Sequence, residues 1–232
     1  MTNLRRSGDR GGGSFGWLRS RHSFSFGSYF DPANMGFRSL RVINEDWIEP
    51  GSGFPTHPHR DMEILTYVLE GALEHADSLG NGSTIRPGEI QKMSAGTGIT
   101  HSEFNPSDAE RTHLLQIWIE PATRGVTPSY AQVPLPVAHE PGRLHLVAGS
   151  DPGAPVRLEQ DASVHAARLR PGDEISYDLD PGRGLWLQTA RGRLRAGDQP
   201  LEAGDGLSIE NEGRAVLRAT DHEAEVLLFD LA

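Results

Sequence analysis

The sequence predicts an all-β chain built as two successive antiparallel sandwiches of jelly-roll type. Three observations carry that expectation. The 232 residues include 27 Gly and 16 Pro, a density that interrupts long helices and favours short strands between turns. Apolar runs of strand length recur along the whole chain, whereas nothing reaches the roughly 18 apolar residues of a membrane span. The second half also repeats the turn pattern of the first.

The elements follow in order. The first 15 residues or so are rich in Gly and Arg and are expected to be mobile at the start. Ser23–Phe26 and Leu40–Ile43 read as short strands. Glu63–Leu69 (EILTYVL) is rich in apolar and β-branched residues and stops at Gly71. Leu73–His75, Gly82–Arg86 and Ile90–Met93 are further short strands divided by Gly, Asn and Pro, and Leu114–Ile119 closes the series. Residues 121–140 contain four prolines and little periodicity, so they read as a linker. Strands resume at Leu144–Ala148, Val164–Leu169, Leu185–Gln188, Leu207–Ile209, Ala215–Ala219 and Glu225–Phe229. The expected domains are therefore residues 1–120, a linker at 121–140, and residues 141–232.

The internal likeness rests on turns. Pro50-Gly51 precedes Gly71 by the same 20 residues that separate Pro171-Gly172 from Gly192. Pro87-Gly88-Glu89 has its counterpart in Ala203-Gly204-Asp205. A shift of 121 puts Asp178 and Asp180 at the places of His57 and His59. A shift of 116, after a shorter loop, puts Leu217 and Ala219 at those of His101 and Glu103. The second half is expected to keep the turns and bind no metal.

Composition excludes several classes. The formal charge is −10, a poor match for neutralising nucleic-acid phosphates, so no direct nucleic-acid contact is expected. With no Cys, disulfides, zinc fingers, iron–sulfur sites and a thiol nucleophile are excluded. Any transition metal must be held by His and carboxylates. The N-terminal segment has five Arg before Ser23 but no apolar stretch, which reads as neither signal peptide nor membrane anchor. The expected location is the cytoplasm.

Of the ten His, two stand in Gly51-Ser-Gly-Phe-Pro-Thr-His57-Pro-His59. Residues at i and i+2 of a strand share a face, so two imidazoles can serve one divalent ion. His101-Ser-Glu103 is a second such pair, after the turn Ala95-Gly-Thr-Gly98. If the two strands face each other, three imidazoles and one carboxylate converge, a donor set that suits Fe(II) and admits Mn, Ni, Cu or Zn. Four ligands on an octahedral ion leave two positions open. Glu63 shares strand parity with His57 and His59 and is a rival ligand, or else a residue that orients an imidazole. His22 is a candidate for the rim of a pocket. His75, His113, His139, His145, His165 and His222 lack paired ligand spacing. Phe24, Phe26, Phe54, Met62 and Met93 are core residues that could also wall a pocket, and Glu45, Asp46 and Arg60 read as solvated or ion-paired.

Gly51–Gly71 and Gly88–Asn105 resemble the two cupin motifs. The longer strings RSRHSFSFGSYFDP, GFRSLRVINEDWI, THPHRDMEILTYVLEGALEHADSLGNGS and RPGEIQKMSAGTGITHSEFNPS resemble the pirin family, strongly from Trp17 to Ile119 and loosely beyond. The resemblance implies two stacked cupin-type β-barrels, with one metal, usually iron, in the first. It implies His57, His59, His101 and Glu103 as ligands. General cupins use the Glu of the first motif, here Glu63, and a His two residues earlier, where this chain has Ile99; pirins share the shift seen here. The resemblance further implies a quercetin 2,3-dioxygenase, which takes a flavonol-like aromatic substrate and dioxygen and releases carbon monoxide. Glu103 would accept the proton of the substrate hydroxyl. The alternative it implies is a metal- or redox-sensing regulator that binds a transcription factor or a metabolic enzyme.

Overall fold

The computed structural model describes residues 2–210 and 213–232. Its strands are β1 (Thr2–Arg5), β2 (Gly11–Ser14), β3 (Leu18–His22), β4 (Leu40–Ile48), β5 (Gly53–His59), β6 (Glu63–Glu70) and β7 (Leu73–Asp77). They continue with β8 (Gly82–Ile85), β9 (Glu89–Ser94), β10 (Ile99–Phe104), β11 (Thr112–Ile119), β12 (Ser129–Pro134), β13 (His145–Gly149) and β14 (Ala162–Leu169). The last are β15 (Glu174–Asp178), β16 (Gly184–Arg191), β17 (Arg193–Ala196), β18 (Gln199–Glu202), β19 (Gly206–Glu210), β20 (Arg214–Ala219) and β21 (Ala224–Leu231). Among the described residues, helix is confined to single 3-10 turns at Ser7–Asp9 and Pro136–Ala138, and no helix is long and apolar enough to cross a membrane.

The chain divides into two compact units. The N-terminal unit is Gly11–Pro134 with Leu158–Gln160. It pairs a seven-stranded sheet, ordered β12-β9-β6-β11-β4-β3-β2, with a four-stranded sheet, β5-β10-β7-β8. Leu18, Ile48, Val68 and Leu114 of the larger sheet meet Leu73 and Ile85 of the smaller in one apolar cluster. The C-terminal unit holds residues 2–10, Leu135–Arg157 and Asp161–Ala232. Its sheets run β1-β19-β16-β21-β14-β13 and β15-β20-β17-β18, and Leu169, Leu187, Leu207 and Leu228 pack against Leu194, Leu201 and Leu217. Both units are jelly-roll sandwiches, so the all-β, jelly-roll reading stands, each barrel being formed by two facing sheets that do not close.

Three expectations change. The opening residues are ordered: β1 pairs in register with β19, from Thr2 opposite Ile209 to Arg5 opposite Gly206. Arg6 and the Ser7 amide both bond the Asp205 carboxylate at 2.7 Å. Residues 2–10 therefore serve the C-terminal sandwich, where the sequence placed them in a domain of residues 1–120. The stretch read as a linker contributes β12, paired with β9 from Ser129 opposite Ser94 to Pro134 opposite Glu89. Its prolines hid it, yet β12 is an edge strand, where a missing N–H costs no ladder bond. Finally, the strand expected at Ser23–Phe26 lies earlier, at Leu18–His22. The Ser25 hydroxyl bonds both the amide and the carbonyl of Asp31 and holds the following residues in a loop.

Candidate metal centre

β5 and β10 are antiparallel neighbours, with His57 opposite His101 and His59 opposite Ile99. Opposite residues share a face, so His57, His59, His101 and Glu103 all look toward the facing sheet. Between the pairs His101–His57 and Glu103–Phe54 the register slips: Pro55 and Thr56 oppose Ser102 alone, a bulge that re-aims the side chains beside it. β5 is an edge strand, which tolerates Pro55 and Pro58. Gly53 permits the close approach of the strands, since a Cβ there would lie 2.2 Å from the Glu103 carbonyl oxygen.

The three imidazoles form a tight triangle. Ring centroids are 4.8 Å apart for His57–His59, 4.4 Å for His57–His101 and 4.8 Å for His59–His101. One ring nitrogen of each lies within 4.8 Å of those of the other two, and the Nε2 atoms of His57 and His101 are 3.0 Å apart. His57 Nδ1 donates to the Pro55 carbonyl at 2.8 Å, which in the neutral ring makes Nε2 the lone-pair nitrogen. A nitrogen so poised toward two others fits a divalent cation. Burial, then the neighbouring His57, lowers His59 to about 4. Burial, then His57, His59 and His75, holds His101 far below the usual imidazole range. Both rings are therefore neutral at physiological pH, the form that ligates.

Glu103 is buried, and its Oε2 lies 4.0 Å from His101 Nε2. Gln116 on β11 donates to both of its oxygens at 3.0 Å. Thr66 on β6 donates to the Gln116 carbonyl at 2.9 Å, which fixes the amide so that its NH2 faces the carboxylate. Burial pushes Glu103 up to about 7 despite the bonds from Gln116 and Thr66. On β4, burial lifts Asp46 to about 7; the Ser20 bond opposes this, and the charges of Glu103 and Glu45 add to it.

A cavity of about 430 Å³ opens on these groups. Phe15, Phe26, Phe54 and Trp118 give it aromatic walls; His57, His59, Glu103, Asn44, Asp46 and Gln116 supply its polar side. Asn44 Oδ1, Asp46 Oδ1 and Trp118 Nε1 are buried without a hydrogen-bond partner. Such atoms are costly unless something completes them.

The structure thus brings His57, His59 and His101 into one triangle and sets Glu103 beside His101. Glu63 stands apart. It lies on β6, in the other sheet, where its Oε2 is 3.1 Å from Lys92 Nζ and accepts the Glu159 amide at 3.3 Å. It touches none of the three imidazoles. His22, Phe26 and Phe54 line the cavity, while Met62 and Met93 pack in a separate apolar cluster and Phe24 is buried. Glu45 Oε1 accepts a hydrogen bond from His113 Nε2 at 2.8 Å. Asp46 is 4% exposed and faces the cavity, against the solvated or ion-paired reading. Sequence reasoning missed Asn44, Gln116 and Thr66, which are ordinary strand residues until the ladder aligns them. It also passed over His75, whose i, i+2 partner Asp77 was the available signal.

The second half needs a corrected register. Glu103 faces Phe54 and His75 as Leu217 faces Ile175 and Ala196. Leu217 is therefore the counterpart of Glu103, and Ala215 that of His101. Ala215 pairs with Tyr177, which takes the place of His57. The sequence alignment was two residues out on β20, because His101 lies 11 residues after Ile90 while Ala215 lies 9 after its counterpart Gly206, and one residue out on β15, which lacks the bulge of β5.

Comparison with known proteins agrees with this architecture. Residues 4–119 match the family model described as Pirin, and residues 146–231 match that of the quercetinase C-terminal cupin domain. The chain is 45% identical over 231 residues to quercetin 2,3-dioxygenase of Escherichia coli strain K12, covering 100% of this chain and 99% of the relative. It is 42% identical to a pirin-like protein of Caulobacter vibrioides, covering 96% of each. Among solved structures, the bacterial pirin YhhW of Escherichia coli in complex with nickel(II) superposes with a TM-score of 0.93 at 45% identity, covering 100% of this chain and 99% of that one. Two facing-sheet units, a His-rich centre in the first and full-length relatives at this identity lead to one conclusion: the chain belongs to the pirin family.

Proposed function

We propose that this protein is a metal-dependent dioxygenase that opens flavonols such as quercetin at the 2,3 position. It would use one ion, iron(II), held by His57, His59, His101 and Glu103. The observation that carries the reading is the convergence of three imidazoles and a buried carboxylate beside an aromatic-walled cavity. The full-length relative named quercetin 2,3-dioxygenase supports the choice of substrate.

When bound, the ion would act as a Lewis acid toward a substrate hydroxyl and a conduit of electron density toward dioxygen. The chain's own residues do the rest. Phe26, Phe54 and Trp118 offer flat apolar contact to an aromatic ring system. The unpartnered Asn44 Oδ1 and Asp46 Oδ1 accept hydrogen bonds from ring hydroxyls, and the unpartnered Trp118 N–H donates one. Glu103, raised to about 7, is matched to take the proton of a phenolic hydroxyl at neutral pH. The Gln116 amide keeps that carboxylate aimed while it does so. The enclosed walls limit water.

The test is direct. Protein stripped by chelation and reloaded with iron(II) is mixed with quercetin in air, and the long-wavelength flavonol absorbance and carbon monoxide are followed. Loss of absorbance with release of carbon monoxide is expected from the wild type and not from His101→Ala. Equal behaviour of the two would overturn the proposal.

A further inference from the structure

Behind His101, on the side away from His57, β7 carries a second His-containing pair. His75 is 1% exposed and lies opposite Glu103; Asp77 lies opposite His101. His75 Nε2 is 3.3 Å from Asp77 Oδ2, and His75 Nδ1 is 3.4 Å from His101 Nδ1. The other Asp77 oxygen is held by a tight turn: Oδ1 accepts the amides of Leu79 at 2.9 Å and Asn81 at 3.1 Å, while the Asn81 side chain donates to both oxygens, at 3.1 Å to Oδ1 and 2.9 Å to Oδ2. Three imidazoles and a carboxylate thus form one file, Asp77–His75–His101–His57.

We infer that Asp77 and His75 are positioning residues that set the tautomer of His101 and so present its Nε2 lone pair to the metal. The inference rests on the ligand set proposed above for His101. The logic is one of donors and acceptors. A carboxylate only accepts, so His75 Nε2 carries the proton that faces Asp77. His75 Nδ1 is then a bare acceptor. It faces His101 Nδ1, which must be the protonated nitrogen, and this leaves His101 Nε2 bare. That atom lies 3.0 Å from His57 Nε2, itself bared by the bond from His57 Nδ1 to Pro55. Two lone pairs head to head at this distance repel until a cation lies between them. The file therefore stores an electrostatic demand for a cation in the protein itself. Metal-bound imidazoles commonly hold their second N–H in this way, but here a second imidazole is interposed before the carboxylate.

His75 could be mistaken for a ligand, since it lies with His101 and Glu103 in a compact group of metal-binding side chains. Its position argues otherwise. Its Nδ1 is turned to His101 Nδ1, the nitrogen on the far side of that ring from His57.

The file can be reversed by one substitution. In Asp77→Asn the Leu79 and Asn81 backbone amides hold the amide oxygen at the Oδ1 position, so the NH2 replaces Oδ2, displaces the Asn81 side chain that donates there at 2.9 Å, and donates to His75 Nε2. His75 Nδ1 must then carry the proton, His101 Nδ1 becomes the acceptor, and His101 Nε2 is protonated and cannot ligate. The experiment reads imidazole 15N signals by long-range 1H–15N spectra of the metal-free chain, and nickel(II) affinity by competition with a chelator. In the wild type His101 is expected to be protonated at Nδ1. In Asp77→Asn the Nδ1 and Nε2 characters of both His75 and His101 should exchange, with His57 unchanged, and nickel(II) affinity should fall about 10–100-fold. His75→Gln should restore an acceptor through its amide oxygen and keep both the His101 tautomer and affinity within a few-fold. His75→Phe should lose both. An unchanged His101 tautomer in Asp77→Asn, or a wild-type His101 protonated at Nε2, would overturn the inference. The tautomer is read without metal, so a wild-type chain that binds no nickel(II) counts against the ligand set, while a reversed His101 tautomer still supports the file.

Discussion

The two sandwiches share a plan and differ in what they enclose. In the larger sheet of the N-terminal unit, Asn44, Gln116, Thr66 and Gln91 stand in one row across β4, β11, β6 and β9. The same row across β14, β21, β16 and β19 reads His165, Leu228, Leu187 and Leu207. Opposite the row, His101 and Glu103 become Ala215 and Leu217, both buried in an apolar core. One unit spends its interior on polar groups that need a ligand; the other fills it. The C-terminal unit keeps a polar remnant near the place of the metal centre: Tyr177, where His57 would be, donates to Asp230 at 2.6 Å, and Arg183 closes on Asp230 and Asp161. Each charge there has its answer within the chain. The difference teaches that a fold can be held constant while a polar row facing a cavity is kept in one half and largely replaced by leucine in the other.

The comparison breaks first on metal count. The wild type should bind one divalent ion per chain tightly, and His57→Ala or His101→Ala should bind none, because three remaining donors hold an ion far less well. Elemental analysis after gel filtration settles it, and a second tightly held ion would show that the C-terminal interior is not as closed as its apolar side chains indicate. A smaller effect comes from copying the second unit into the first. Gln116→Leu installs the residue of Leu228. It strips Glu103 of the donors at 3.0 Å on both oxygens and should weaken metal binding by about 10–100-fold, measured by chelator competition. Unchanged affinity would mean that Glu103 is aimed by something other than the row.

Acid–base behaviour sharpens the same contrast. Among the described carboxyls, those pushed well above their usual range, Asp46 and Glu103, both belong to the N-terminal unit. Asp46 titrates near 7 in the folded chain against 3.8 as its ordinary value. Between those values the folded state binds more protons than the unfolded one. Metal-free protein should therefore lose stability as pH rises from about 4 through 7, by at most about 1.4 kcal/mol per pH unit for one such group. Asp46→Asn should flatten that part of the profile, read from urea midpoints between pH 5 and 8. His59, held near 4, acts on the other side: its contribution is lost as pH falls below the usual imidazole range, in the variant and the wild type alike.

Much of this was legible before the fold was seen, and the limits have physical causes. The two i, i+2 pairs, His57/His59 and His101/Glu103, are local in sequence, so strand periodicity alone puts each on one face. The row of Asn44, Thr66, Gln91 and Gln116 is not local: its members sit in four strands and become neighbours only through register. The same holds for Glu63, whose parity matched the His pair but whose strand belongs to the other sheet. A positive φ of 48° at Asp61 marks the break between β5 and β6 that parity counting cannot cross. β1 and β12 were hidden for another reason. Gly-, Arg- and Pro-rich text reads as irregular, and each becomes a strand only because a sheet edge, β19 or β9, waits for it.

The smallest expected effect tests the remnant in the second unit. Asp230 is buried, and it is satisfied by Tyr177 and Arg183 rather than by water. Arg183→Gln removes a charged donor from Asp230 and from Asp161, which lies 2.9 Å away, and leaves Asp230 with the Tyr177 hydroxyl. Loss of a hydrogen bond to a charged group typically costs about 1.5–3 kcal/mol, and the Arg183 side chain is 20% exposed, so solvent recovers part of it. A loss of about 1–2 kcal/mol in stability is expected, seen as a lower urea midpoint, with metal content and nickel(II) affinity unchanged. That separation is the point of the variant. If the cluster around Asp230 is a purely internal answer to buried charge, its damage stays in the stability measurement. Loss of metal in Arg183→Gln would instead mean that the second unit supports the chemistry of the first, and the division between a filled half and an open half would fail.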